Sequence, residues 1–266
     1  MRKRIFFIVK QGDKIMREAF TYMLKDNCYY KKALVFMILT FIETACLAYA
    51  QMNSCTGACP YSMNSGVFVP NKTNALLFQV IGLIFNFIVV GYFNTCLEAV
   101  TKQVNNIVLP FINLWNNFLN GLKYFVAVFI AALVYILSLG LLYALNLYVA
   151  KTVSILVLLF YIIFSSAFLW LFANNKSFFA FLNYKKLFLK IKEAPKNYFK
   201  YLGFLAILLI ISATLKFIID LIITLLPLNL LFTMLISTFF TSLLSAYFSF
   251  VFIYLIAKSL KQDSVV

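Results

Sequence analysis

Residues 124–149 read YFVAVFIAALVYILSLGLLYALNLYV, and residues 153–173 read VSILVLLFYIIFSSAFLWLFA. Neither run contains a charge, and only a short segment around Lys151 separates them. A helix needs about 20 apolar residues to cross roughly 30 Å of hydrocarbon, at about 1.5 Å per residue. Both runs meet that length, so they predict two membrane-crossing helices joined by a turn at Lys151. Their hydrophobicity is continuous rather than alternating, which excludes the strands of a transmembrane barrel.

Four further runs of the same kind flank this pair, at about 33–52, 76–97, 201–226 and 231–257. The composition agrees. The chain of 266 residues is 64% hydrophobic and only 12% charged, whereas a soluble domain is about 45–50% apolar and about 25% charged. A soluble core of this length leaves too much surface in water to hide such a chain. The expected fold is therefore all-α: an integral membrane bundle of six transmembrane helices, with cytoplasmic interfacial amphipathic helices. The expected organisation is a basic amphipathic segment over 1–32, the six-helix domain over 33–257, and a tail over 258–266.

Charge orients the bundle. Lys and Arg total 23 against 8 acids, a net +15. Nine basic residues precede the first span, and Lys176, Lys185, Lys186, Lys190, Lys192, Lys196 and Lys200 lie between the fourth and fifth. Lys102, Lys123, Lys258 and Lys261 fall on the same side, while Lys72 and Lys151 alone fall on the other. By the positive-inside rule both termini face the cytoplasm, in a multi-pass cell (inner) membrane protein. The opening MRKRIFFIV has an apolar stretch too short for a cleavable leader, which needs about 7–15 residues. Residues 3–32 read instead as a basic amphipathic helix on the inner leaflet.

Two more amphipathic stretches lie on that side. Val108, Phe111, Trp115, Phe118 and Leu122 recur at helical spacing opposite Asn106, Asn113 and Asn120. Phe181, Tyr184, Phe188 and Ile191 share a face opposite Lys186, Lys190, Glu193, Lys196 and Lys200, and Pro195 ends that segment. Here Lys alternates with large apolar groups, so Lys185, Lys186, Lys190, Lys196 and Lys200 suit anionic lipid headgroups rather than nucleic acid.

The run Gly91-Tyr92, Leu109-Pro110, Trp115, Phe118 and Gly121-Leu122-Lys123 resembles the bacterial and archaeal membrane family called domain-of-unknown-function family 4013. Ala180-Phe181 and Asn197-Tyr198 resemble its segment before the fifth span. That family usually has acidic residues near the Trp and before the Gly, where this chain has Asn113 and Asn120. The resemblance implies an architecture and carries no activity.

Charges at bilayer depth mark candidate sites, because each costs about 2.5–3.5 kcal/mol on insertion scales. Glu43, Lys216 and Asp220 qualify. Rise per residue puts Glu43 about 15 Å, Lys216 about 22 Å and Asp220 about 28 Å above the inner end of their spans. Lys216 and Asp220 are spaced to pair on one helix face, and Glu43 could reach Lys216 if the first and fifth spans touch. The expected role of this triad is a lock between helices; the alternative is a coupling site in a small transporter or channel. Gln79 and Asn86 share a face, and Thr238, Ser242, Ser245 and Ser249 form a small polar stripe suited to close helix packing.

The chain has no His. Ser-His and Cys-His nucleophile pairs, His metal ligands and His proton relays are therefore excluded. Glu43 and Asp220 differ too much in expected depth for an aspartyl dyad, and no glycine-rich phosphate loop occurs. Cys55 and Cys59, in the only sizeable outer loop, are expected to form a local disulfide. No enzymatic activity, cofactor, metal or nucleic acid is expected. The expected function is a scaffold or subunit of a membrane assembly, contacting inner-leaflet lipid and a membrane-protein partner or a second copy.

Overall fold

The computed structural model describes residues 17–26, 28–54, 72–102, 109–145, 147–193, 195–226 and 230–260. Throughout these residues the regular structure is helical. A helical segment at 17–21 runs into a 3-10 turn at Tyr22–Lys25. Seven longer helices follow: α1 (Tyr29–Ser54), α2 (Lys72–Lys102), α3 (Leu114–Leu145), α4 (Leu147–Asn175), α5 (Tyr184–Glu193), α6 (Pro195–Thr224) and α7 (Leu230–Ser259). All but α5 are long and apolar enough to cross a membrane. In lipid a helix satisfies its backbone polar groups within its own segment, which is why apolar length alone dictates these elements.

Three boundaries differ from expectation. The turn expected at Lys151 is absent; α3 ends at Leu145, and Lys151 lies in the early turns of α4. Apolar residues before Lys151 let α4 begin at Leu147 rather than near 153, and residue 146 lies outside the described residues. The amphipathic stretch ending at Leu122 is also no separate helix, because from Leu114 it is continuous with the third span. No Pro follows Pro110 before Pro195, and the Asn120-Gly121 pair is taken up within the helix. The basic segment before the fifth span divides into a 3-10 turn at Ala180–Leu182 and the short α5, which buries Leu187 and Ile191. The N-terminal amphipathic helix falls mostly on residues 1–16, outside the described residues, as do the final residues 261–266.

Spans consecutive in the chain run antiparallel. α1 packs on α2 and α7, α2 on α1, α3, α4 and α7, and α6 chiefly on α7. Lys31, Lys32, Lys102, Lys176, Lys185, Lys186 and Lys258 gather at one end of the bundle, here the basic end. Both groups of buried residues lie toward it. One joins Tyr22, Phe36, Tyr92, Cys96, Leu109 and Phe250. The other joins Ala127, Ala167, Phe168, Phe181, Leu187 and Tyr198. Rings interlock there, with Phe36 centred 5.4 Å from Tyr92 and 5.2 Å from Phe250. Toward the other end Leu76, Leu77, Val80, Ile136, Leu137, Leu225 and Phe232 are exposed. Lipid tails are as apolar as Leu, so side-chain packing and interhelical polar contacts must hold such a bundle together.

Candidate functional site: a polar lock at the basic end and isolated charges in the spans

Among the described residues, the most completely buried charges stand at the start of α1: Asp26 just before it and Lys32 in its first turn. The Lys32 ammonium lies 2.7 Å from the Asp26 carboxylate, and both side chains are at most 4% exposed. Together they hold both backbone polar groups of Leu109, in the α2–α3 connection. The Leu109 N–H donates to Asp26 Oδ2 at 2.9 Å, while Lys32 Nζ donates to the Leu109 carbonyl at 2.5 Å. The Cys28 N–H donates to Asp26 Oδ1, and the Phe111 ring covers the ammonium at 4.5 Å. Burial by itself raises the Asp26 pKa. The hydrogen bonds from Lys32, Cys28 and Leu109, with the Lys32 charge, outweigh burial and hold it below the ordinary value. Asp26 therefore remains an acceptor and Lys32 its counter-ion.

Tyrosines extend this lock. Tyr92 donates to the Pro110 carbonyl at 3.1 Å, and Tyr22 donates to the Phe250 carbonyl at 2.8 Å. Burial pushes the Tyr22 phenol well above its usual range, which keeps it a neutral donor. Tyr254 donates to Glu18 at 2.9 Å, tying the segment at 17–21 to α7.

Beside the lock, α2 and α3 cross at backbone distance. A Cβ placed on Gly91 would stand 1.7 Å from the Asn117 carbonyl oxygen, and one on Gly121 would stand 1.8 Å from that of Phe87. Only glycine fits either position. The crossing carries a polar seam, in which Thr95 donates to Asn117 Oδ1 at 3.4 Å and Asn120 donates to Thr95 at 3.3 Å. Gly91, Tyr92, Pro110 and Gly121 are thus brought together. Trp115 is exposed and stacks on Phe118, and Lys123 is exposed too.

The triad expected within the spans is not assembled. Glu43 accepts a hydrogen bond from Asn86 Nδ2 on α2, and Asp220 accepts one from Ser237 on α7. Among the described residues neither forms an ion pair with Lys216. The reason is which faces meet: α1 turns Glu43 toward α2, while α6 packs chiefly on α7. The polar stripe of α7 does meet α1, where Ser242 Oγ and Thr44 Oγ are 2.8 Å apart. Lys216 is exposed. The Asp220–Ser237 bond fixes the register of the antiparallel α6–α7 hairpin. By that register Lys216 stands level with Thr241 on α7.

The expected lipid-facing lysines divide by partner. Lys185 and Lys196 are exposed. Lys186 donates to Asn175 Oδ1 at 2.9 Å, and Lys190 pairs with Glu193 at 2.5 Å beneath the Trp170 ring. Lys200 also has an interaction partner. On the same end Lys102 and Lys176 share Glu98, at 2.5 and 2.8 Å. Lys176 caps α4 with a left-handed backbone, φ 49°.

Cys55 and Cys59 lie outside the described residues, while Cys28, Cys46 and Cys96 are free thiols. Among the described residues no cluster of three or more His, Cys, Asp or Glu could hold a metal ion. Sequence reading missed the Asp26–Lys32 lock. Its one local signal was an acid inside a basic run directly before a span. This chain is an all-helical polytopic membrane protein, and no family model, curated protein or solved structure matches it.

Proposed function

We propose that the protein is a non-catalytic structural subunit of an inner-membrane assembly, with its basic end and both termini in the cytoplasm. The observation that carries this reading is the polarity of packing. Most of the buried side chains, the Asp26–Lys32 lock and the Gly91–Gly121 crossing lie toward one end. The helices beyond present broad apolar faces to lipid or to other helices. The rigid end carries the lysines, and Lys185, Lys186, Lys190, Lys196 and Lys200 lie against anionic headgroups, at about 1 kcal/mol for each lysine near the surface. Membership of domain-of-unknown-function family 4013 belongs to the same reading. It rests on the spacing of Gly91, Tyr92, Pro110, Trp115, Gly121 and Lys123.

Retained lipid tests the reading. Full-length protein released from nanodiscs of mixed phosphatidylglycerol and phosphatidylcholine is weighed by native mass spectrometry. Phosphatidylglycerol should remain bound preferentially, and a Lys185→Gln, Lys186→Gln, Lys196→Gln variant should retain less. Retention indifferent to headgroup charge overturns the lipid contact. A coupled transporter is the weaker reading, since Glu43 is engaged by Asn86 rather than by Lys216.

A further inference from the structure

We infer that α6 is the interface of a homodimer in the membrane, in which Lys216 of each copy pairs with the partner subunit's Asp220. The inference stands on α6 alone and goes beyond the scaffold reading. It begins with an ammonium group that has no place in lipid. Lys216 is exposed at the level of the Thr44–Ser242 contact, well inside the spans, and forms no ion pair among the described residues. A cation at that depth calls for a carboxylate within reach.

The chain supplies one a single turn along the same helix. Asp220 is half-buried, and the bond from Ser237 occupies one carboxylate oxygen. Within its own chain it does not pair with Lys216. A twofold axis alongside α6 makes the two charges complementary without any third component. Under such an axis, if residue i meets the partner's residue j, then j meets the partner's i. Each copy then contributes one cation and one anion, and the four charges sum to zero.

The residues below the charges continue the same seam. Leu202, Leu209 and Lys216 recur every seven positions, and Ala206, Ala213 and Asp220 recur between them. This is the a/d repeat of a left-handed helix pair. Ala206, Leu209 and Ala213 are exposed, so nothing among the described residues covers them, while Leu202 is half-buried against the chain's own core. Small side chains at alternate layers let two membrane helices approach closely. α6 is also the most open span, with 11% of its apolar window buried against 50% for α7.

Association in phosphatidylcholine liposomes, read by single-molecule photobleaching of labelled full-length protein, tests this. Wild type should form dimers whose fraction rises with protein density. Lys216→Asp and Asp220→Lys should each weaken association by about tenfold, the scale of one interhelical polar contact in lipid. The double swap Lys216→Asp/Asp220→Lys should restore it. Circular dichroism and thermal unfolding check that each variant is folded. As a second arm that leaves the charges intact, Ala213→Cys should give crosslinked dimer above the wild-type background, and Ile207→Cys, on another face of α6, should not. The inference is overturned if wild type stays monomeric at every density or the swap fails to restore association. Equal crosslinking at Ile207→Cys and Ala213→Cys overturns it as well.

Discussion

The Asp26 carboxylate and the Lys32 ammonium, 2.7 Å apart and almost wholly buried, engage the backbone N–H and the carbonyl of Leu109 respectively. Each charge thus neutralises the other and satisfies a backbone group 77 or 83 residues away in the chain. The entry to α1 is thereby bound to the α2–α3 connection.

Removing one member of this pair leaves the other charge buried without a counter-ion. Lys32→Met or Asp26→Leu should therefore destabilise the protein by about 3–5 kcal/mol, read as a lowered Tm in detergent. The double variant should cost less than the sum of the two, because the pair and its desolvation are lost together.

The pH dependence has a defined sign. The folded pKa of Asp26 lies below its unfolded value, so the associated stability is present above the unfolded pKa. It is lost as pH falls through the folded pKa. Thermal scans from pH 7 downward should show an acid-side loss of stability that is smaller in Asp26→Asn. An identical acid limb in both proteins refutes the assignment.

Gly91→Ala and Gly121→Ala should each separate α2 from α3, because the new Cβ meets backbone rather than a movable side chain. Overpacking of this kind costs about 1–3 kcal/mol or more. Gly203→Ala is the control, since a Cβ there meets nothing within 4 Å. It should be neutral or stabilising by up to about 1 kcal/mol through helix propensity.

Glu43→Gln preserves an acceptor for Asn86 and should leave both the fold and liposome ion flux unchanged. Asn86→Leu removes the donor from a carboxylate within the bundle and should lower Tm. A proton or cation flux that disappears in Glu43→Gln sinks the structural reading and restores the coupled-transporter alternative.

Lys176 combines a left-handed backbone with an ion pair to Glu98. Lys176→Ala keeps the strained backbone and loses the pair, for a net loss of about 0.2–1 kcal/mol. Lys176→Gly loses the same pair but relieves about 1 kcal/mol or more of strain, and should be at least as stable as wild type by thermal unfolding.

Six spans were legible because the cause is local. A charge-free run such as 153–173 must form a helix in hydrocarbon whatever its neighbours do. The stops were less legible: Leu114 joins the third span and Lys151 enters the fourth, because hydropathy marks where lipid is tolerated, not where a helix ends. The motif Gly91, Tyr92, Pro110 and Gly121 was readable as a spacing, yet its reason is a crossing of two helices at backbone distance.

Partner choice was the part that sequence could not carry. By spacing, Lys216 and Asp220 belong together and Glu43 stands within reach of Lys216. Tertiary structure gives Glu43 to Asn86 and Asp220 to Ser237, and leaves Lys216 facing outward. The sequence alone determined that this chain crosses a membrane six times and gathers its basic residues at alternate helix ends, because solvation acts residue by residue. Which faces meet, and so which charges are satisfied, was decided only by packing. That depends on contacts between segments as much as 236 residues apart, such as Glu18 with Tyr254.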